Sequence, residues 1–174
     1  MELTTERLII RSLTLDDVGE FLKIVSDPEV MRYLGGPMEE DRARGYVPDC
    51  IERDAETGIS RYAVVHADKG EFLGYCGFKA LKGVDYGGQV PPHESWVDFG
   101  WTYRQSAWRQ GFGTEAARAI YRHGKETLGL EGIEIRTHQD NVGSLKIIER
   151  LGAFEWLNDY DSPAGVFRRF READ

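Results

Sequence analysis

The sequence predicts an α+β fold, a mixed and mostly antiparallel sheet flanked by helices. Three observations carry that expectation. An amphipathic helix pattern opens the chain, strand-like apolar runs joined by turn residues fill its middle, and a helix, a strand, a second helix and closing strands follow. With 174 residues, 41% hydrophobic and 30% charged, the chain has the size and composition of one soluble globular domain, taken as residues 1–174.

Leu8-Ile9-Ile10, between Arg7 and Arg11, reads as a short first strand. Thr14-Leu15-Asp16-Asp17 has the form of a capping box, with Asp in the usual Glu/Gln place. Val18, Phe21, Leu22 and Val25 recur at i, i+3, i+4 and i+7, one apolar helix face. Asp27-Pro28 stops that helix and caps a short one running to about Leu34, which Gly35-Gly36-Pro37 ends. Residues 39–57 are polar and helical in pattern, with Pro48 expected to kink or break them. Tyr62–His66 and Phe72–Phe78, joined by Asp68-Lys69-Gly70, read as a hairpin. A Gly/Pro-rich loop from Lys82 to His93 leads to a strand from Ser95 to Tyr103. Ala116, Ala119, Ile120, Thr127 and Leu128 mark the buried face of a helix from about Gly113, and Ile133–Thr137 is a short strand. Leu145, Ile148 and Leu151 line a further helix that Gly152 terminates. Residues 154–157 and 166–170 close the sheet.

The net charge of −8 is unevenly spread. Residues 1–60 hold fourteen Asp/Glu against seven Lys/Arg, whereas 103–150 hold six against eight. An acidic surface disfavours nucleic acid and favours cationic partners through its field. A merely solvated acidic face fits the same counts. No window approaches the ~18 apolar residues of a membrane span. The stretch Met1–Arg7 has no basic region followed by an apolar run, so no signal peptide is expected. These features predict a cytoplasmic protein with no nucleic-acid or membrane partner, as a monomer or homodimer. Cys50 and Cys76 have neither metal-ligand nor redox spacing and read as reduced thiols. The histidines at 66, 93, 123 and 138 form no ligand pattern, so no metal is expected.

The segment Trp108-Arg109-Gln110-Gly111-Phe112-Gly113-Thr114-Glu115-Ala116 lies between a strand and an amphipathic helix. Its glycines let successive N–H groups converge on an anion, and the helix behind adds the positive end of its dipole. Arg109 stands at the mouth, in reach of a phosphate. A glycine turn that opens a helix without any ligand fits these residues equally well. Gly111, Gly113 and Ala116 also satisfy the dinucleotide pattern G-x-G-x-x-A, but its context is missing. The preceding strand ends eight residues before Gly111, and the 61 residues after Gly113 are too few for the remaining βαβ units.

Asp98-Phe99-Gly100-Trp101-Thr102 together with Trp108 to Ala116 resembles the acetyl-CoA signature of the GNAT superfamily of N-acetyltransferases. The chain most resembles the branch named for ribosomal-protein alanine acetyltransferases. Thr5–Arg11 with Asp27–Leu34 is similar to that branch's opening, and Asn141–Ser144 through Glu149–Phe154 to its second cofactor-contacting helix. The blocks stand in family order and spacing over about 150 residues. The resemblance implies a GNAT acyl-CoA N-acyltransferase fold in which two central strands splay apart, those ending near Trp101 and spanning Ile133–Thr137. It implies acetyl-CoA as co-substrate, with backbone amides of Arg109, Gln110, Gly111, Phe112, Gly113 and Thr114 on the pyrophosphate. An amide near Trp101 or Thr102 would face the thioester carbonyl, and Asn141 would contact the pantetheine.

The implied activity is direct acetyl transfer to a primary amine, a protein N-terminus or a small molecule. Asp98 is the first candidate base and Glu94 the second; a solvated or salt-bridged strand carboxylate is the competing reading of Asp98. Many members of the superfamily place a Tyr acid seven residues after the helix-opening Asn, where this chain has Ile148. Ser144 is then the candidate donor to the sulfur, against an exposed first-turn serine. Ile148 also motivates an alternative, a non-catalytic acyl-CoA-binding or sensing module on the same fold.

Overall fold

The computed structural model describes residues 1–81 and 96–173. Its centre is a sheet of eight strands: β1 (Glu2–Thr4), β2 (Leu8–Arg11), β3 (Arg61–His66), β4 (Phe72–Ala80), β5 (Val97–Tyr103), β6 (Ile133–His138), β7 (Phe154–Ser162) and β8 (Gly165–Glu172). They lie in the order β1-β2-β3-β4-β5-β6-β8-β7. All pairings are antiparallel except β5 with β6.

The middle strands are apolar on both faces because helices cover both. Helices α1 (Val18–Val25), α2 (Pro28–Met31) and α3 (Glu40–Thr57) lie on one face. There Phe21, Ile24, Val47 and Cys50 bury against Ala63, Val65 and Tyr75. Helices α4 (Phe112–Glu126) and α5 (Val142–Leu151) lie on the other, where Ala116, Ile120 and Ile148 pack on Tyr62, Val64, Phe99 and Ile135. Alternate residues of β3 thus feed two cores, as the pleat demands.

The expected elements form, with differences at their edges. Asp17 closes the capping box by accepting from the Thr14 amide at 2.8 Å, and Asp27 accepts from the amides of Glu29 and Val30 at the start of α2. Pro48 does not break α3, which runs unbroken for 18 residues. The ring is exposed, so water can take the carbonyl it leaves without a partner, while Ala43, Val47 and Cys50 anchor the inner face. The hairpin β7–β8 is longer than expected because β7, at the sheet edge, is mostly solvated and lacks an apolar signal. Strand β1 went unread for the same reason.

The decisive feature for function is where β5 and β6 part. Their parallel register holds only Val97 to Ile133 and Asp98 to Glu134. Beyond that point β5 continues along β4 and β6 along β8. The sheet therefore opens from Phe99 onward, and the gap exposes main-chain groups of two strands.

Candidate active site

The gap between β5 and β6 opens into a cleft of about 920 Å³. Trp101 and Thr102, Arg109, Gly111, Gly113 and Thr114, and Asn141 and Ser144 all line it. Residues separated by forty positions thus meet because a strand, the turn into α4 and the turn into α5 end on one side of the sheet.

At one end sits the turn into α4. Arg109 has φ of 60° and Gly111 φ of 86°. A left-handed non-glycine residue costs ~1–2 kcal/mol, and such strain concentrates at functional sites. The first bond of the helix runs from Glu115 N–H to the Gly111 carbonyl at 3.1 Å, so the amides just before it point out of the helix end. Gly113 serves packing as well: a Cβ there would meet Ile147 Cδ1 at 2.7 Å, so the residue lets α4 approach α5. Gln110 and Phe112 do not line the cleft with their side chains. Phe112 is buried in the core, and Gln110 turns back to the Ser106 carbonyl.

Sequence reasoning missed what braces this turn. Arg7 donates through Nε to Glu115 Oε2 at 2.8 Å and through Nη1 to the Gln110 carbonyl at 3.0 Å, and stands over the Phe112 ring at 4.6 Å. Thr5 Oγ1 and the Arg7 amide both donate to Glu115 Oε1, at 2.6 and 2.9 Å. The Thr5-Glu6-Arg7 block is therefore a clamp on the glycine turn, made through Gln110 and through Glu115, the latter 108 residues from Arg7 in sequence.

The turn into α5 is capped by Asn141, whose Oδ1 accepts from the Ser144 amide at 3.1 Å. Ser144 Oγ accepts from Trp101 Nε1 at 3.2 Å, which leaves the hydroxyl hydrogen free to point elsewhere. Ile148 is 3% exposed and faces the core.

At the other end lies Asp98. Its Oδ2 accepts from Arg61 Nη2 at 2.6 Å, and its Oδ1 meets Arg136 Nη2 at 2.9 Å. Arg61 also donates to the carbonyls of Gly77 and Gly100. Burial pushes the Asp98 carboxyl up, but the charges of Arg136 and Arg61 outweigh it and hold the group below its ordinary value. Glu94 and His93 lie outside the described residues. Neither Arg61 nor Arg136 was expected, although an arginine heading the otherwise apolar run Tyr62–Val65 is a signal that a sheet-bound counter-ion awaits it. Of the fourteen acidic residues in 1–60, Glu29 alone lines the cleft, and it is paired with Arg32 at 2.7 Å. The acidic front is largely solvated helix surface.

Among the described residues no group of His, Cys, Asp and Glu is arranged to hold a metal. No helix among them is long and apolar enough to cross a membrane.

A family model described as an acetyltransferase (GNAT) domain matches residues 7–153. The chain belongs to the GNAT acetyltransferase family. This GNAT chain is 26% identical over 167 residues to the uncharacterized N-acetyltransferase p20 of Bacillus licheniformis, across 94% of this chain and 89% of that protein. Its fold matches a GNAT-family acetyltransferase from Bacillus anthracis with a TM-score of 0.80 at 21% identity, over 98% and 97% of the two chains. It also matches RimL, a ribosomal L7/L12 α-N-protein acetyltransferase solved with coenzyme A, with a TM-score of 0.79 at 14% identity over 99% and 97%. The eight-stranded, mostly antiparallel sheet with its parted central strands is thus the GNAT fold that the sequence predicts.

Proposed function

We propose that the protein moves an acetyl group from acetyl-CoA directly to a primary amine. The observation that carries this reading is the parting of β5 from β6 beside two helix N-termini, on a cleft of about 920 Å³. The amides of residues 109–114 offer a positive, donor-rich end for a pyrophosphate, with Arg109 in reach. That Arg7 holds the Gln110 carbonyl, between the left-handed Arg109 and Gly111, supports a turn held ready for a ligand. Asn141 would contact the pantetheine, and an amide near Trp101 or Thr102 would donate to the thioester oxygen as charge develops there.

In the proposed step the amine lone pair forms the N–C bond, the C–S bond breaks, and the thiolate takes a proton from Ser144 or water. Ser144 suits this role because its oxygen already accepts from Trp101 and its hydrogen is left to donate. Asp98, ionised and held by two guanidiniums, is a weak proton acceptor. In this reading it spaces Arg61 and Arg136, and the surplus amine proton leaves through water. Direct transfer agrees with the state of the thiols: both cysteines are buried, and burial pushes Cys76 up to about 12. A thiol in that state is no nucleophile at neutral pH.

The acceptor class stays at a primary amine, either a protein N-terminus, as the likeness to the ribosomal-protein branch supports, or a small molecule. The test is coenzyme A release with acetyl-CoA over a panel of amines and N-terminal peptides. Turnover with a panel member supports the enzyme. Tight acetyl-CoA binding without turnover on any of them favours the binding module that Ile148 suggests.

A further inference from the structure

In the acetyltransferase reading the cofactor occupies the side of the cleft formed by the turn into α4 and the start of α5. The opposite side is lined by the α2 segment, by Tyr46 of α3 and Tyr75 of β4, and by the ends of β6 and β8. A ring stack bridges that side. Tyr33, just past α2, lies on the His138 imidazole at the end of β6, with centroids 4.9 Å apart and planes 26° from parallel. The Arg32 guanidinium stands over the same Tyr33 ring at 4.5 Å and pairs with Glu29 at 2.7 Å.

The two halves of this stack are held differently. His138 is built into the sheet: its Nδ1 accepts from the Asp140 amide at 3.1 Å, and Phe167 of β8 meets it edge-on at 5.5 Å. Gly165 leaves room for the ring, since a Cβ there would stand 2.5 Å from Nε2. Tyr33 instead rides on a strap, residues 32–37, that is fastened at both ends to its own side of the sheet. Before it Met31 is buried, and after it the Met38 amide donates to the Val25 carbonyl at 2.9 Å. Within it Gly35 and Gly36 have left-handed φ of 91° and 94°, and Arg32, Leu34, Gly35 and Pro37 are exposed. Among the described residues no main-chain hydrogen bond ties the strap to β6 or β8. Segments with so few buried contacts lie at the low-stability end of a fold, from which lids are drawn. One ring stack biases such an equilibrium only about two- to twelvefold, so the strap can part from His138 at small cost.

We infer that Tyr33 and His138 are a latch on the acceptor side of the cleft: the amine enters when the strap leaves His138, and the stack closes the strap over it. This rests on the acetyltransferase reading above and adds a gating step to it. Acetyl-CoA, held from the α4 and α5 side, binds without movement of the strap. Tyr33 is then a positioning residue for the acceptor, acting through closure.

The test is to lock the strap. A Cβ on Gly35 would lie 4.0 Å from Ala164 Cβ, inside the ~3.5–4.5 Å that a disulfide spans. The native Cys50 and Cys76 are buried, so in Gly35→Cys/Ala164→Cys the added thiols are the pair that oxidises. The same double variant, oxidised against reduced, is assayed with the best amine of the panel. Oxidation should lower kcat/KM for the amine at least tenfold and change the acetyl-CoA Kd less than twofold by calorimetry, and reduction should restore turnover. Failure of the pair to oxidise would mean that the strap does not lie closed on the β7–β8 turn, and would overturn the latch. Undiminished turnover in the oxidised protein would overturn it as well, and so would loss of acetyl-CoA binding on oxidation. A second arm needs no disulfide. Tyr33→Ala should raise KM for the amine about two- to twelvefold with the acetyl-CoA Kd unchanged, whereas Tyr33→Phe, which keeps the ring, should restore the wild-type KM. An unchanged KM in Tyr33→Ala would remove the latch while leaving the acetyltransferase intact. A wild-type protein that turns over no amine would sink the acetyltransferase reading and this inference with it.

Discussion

At the α4 end of the cleft the available contacts are main-chain amides of residues 109–114, set by two left-handed residues and a helix terminus. At the Asp98 end they are long charged side chains from β3, β5 and β6, held by one another. The first arrangement comes from a contiguous stretch of six residues and, in the proposed reading, holds a pyrophosphate. The second needs three strands in register. The contrast teaches that one cleft can be lined by main-chain donors at one end and by paired buried charge at the other. It also separates the energetics: the amide end costs local strain, whereas the charged end is costly to disrupt.

The largest expected effect falls at the charged end. Arg61→Ala would leave Asp98 and two backbone carbonyls short of a buried donor, and breaking such a network costs ~3–5 kcal/mol. Chemical denaturation should show that loss; a change under 1 kcal/mol would mean the charges are merely solvated, since exposed pairs contribute about that or less.

Next comes the amide end. Gly111→Asp places a carboxylate where the proposed reading puts the pyrophosphate and a side chain where φ is 86°. An added Cβ also lies 3.3 Å from Arg7 Nη2. Acetyl-CoA affinity should fall about 100-fold or more, close to 2.7 kcal/mol, by calorimetry on folded protein. An unchanged Kd would remove this turn from the binding site.

A smaller effect is expected between the two ends. Ser144→Ala should lower kcat by about 10²-fold or less with KM nearly unchanged, at the low end of acid–base catalysis. A raised KM with kcat intact would assign Ser144 to ground-state binding instead.

The smallest effect on turnover is expected at Asp98. Its folded carboxyl is held below its unfolded value near ~3.9, so its contribution to stability is present above that pH and is lost as pH falls through the folded value. Asp98→Asn should therefore lower stability at neutral pH and flatten its acid dependence below about pH 4. The pH profile of kcat/KM between about 6 and 9 should keep its limbs, because no proton passes to Asp98 in that range. A limb that shifts in the variant would restore the carboxylate as a base.

Much of the fold was legible in the chain. The 3.6-residue faces of α1, α4 and α5, the hairpin β3–β4 and the glycine turn depend on neighbours within one turn of helix or one strand, so periodicity and backbone preference report them directly. The edge strands β1 and β7 were harder, since solvated strands carry no apolar alternation. Pro48 deceived because its cost depends on which side of the helix faces water, and only packing sets that.

The site divided along the same line. Local pattern marked the glycine turn at Gly111 and Gly113, because a helix start advertises its own turn residues, whereas Asn141 and Ser144 entered as site residues only through the resemblance to the GNAT superfamily. It also brought Asp98 into view, as a candidate base or a salt-bridged strand carboxylate, without naming its partners. Only the tertiary structure joined Asp98 to Arg61 and Arg136, 37 and 38 residues away, and Arg7 to Glu115 at 108. The physical reason is that a carboxylate's chemistry is set by the charges around it in space. Those charges arrive from other strands, in a register that no local pattern specifies.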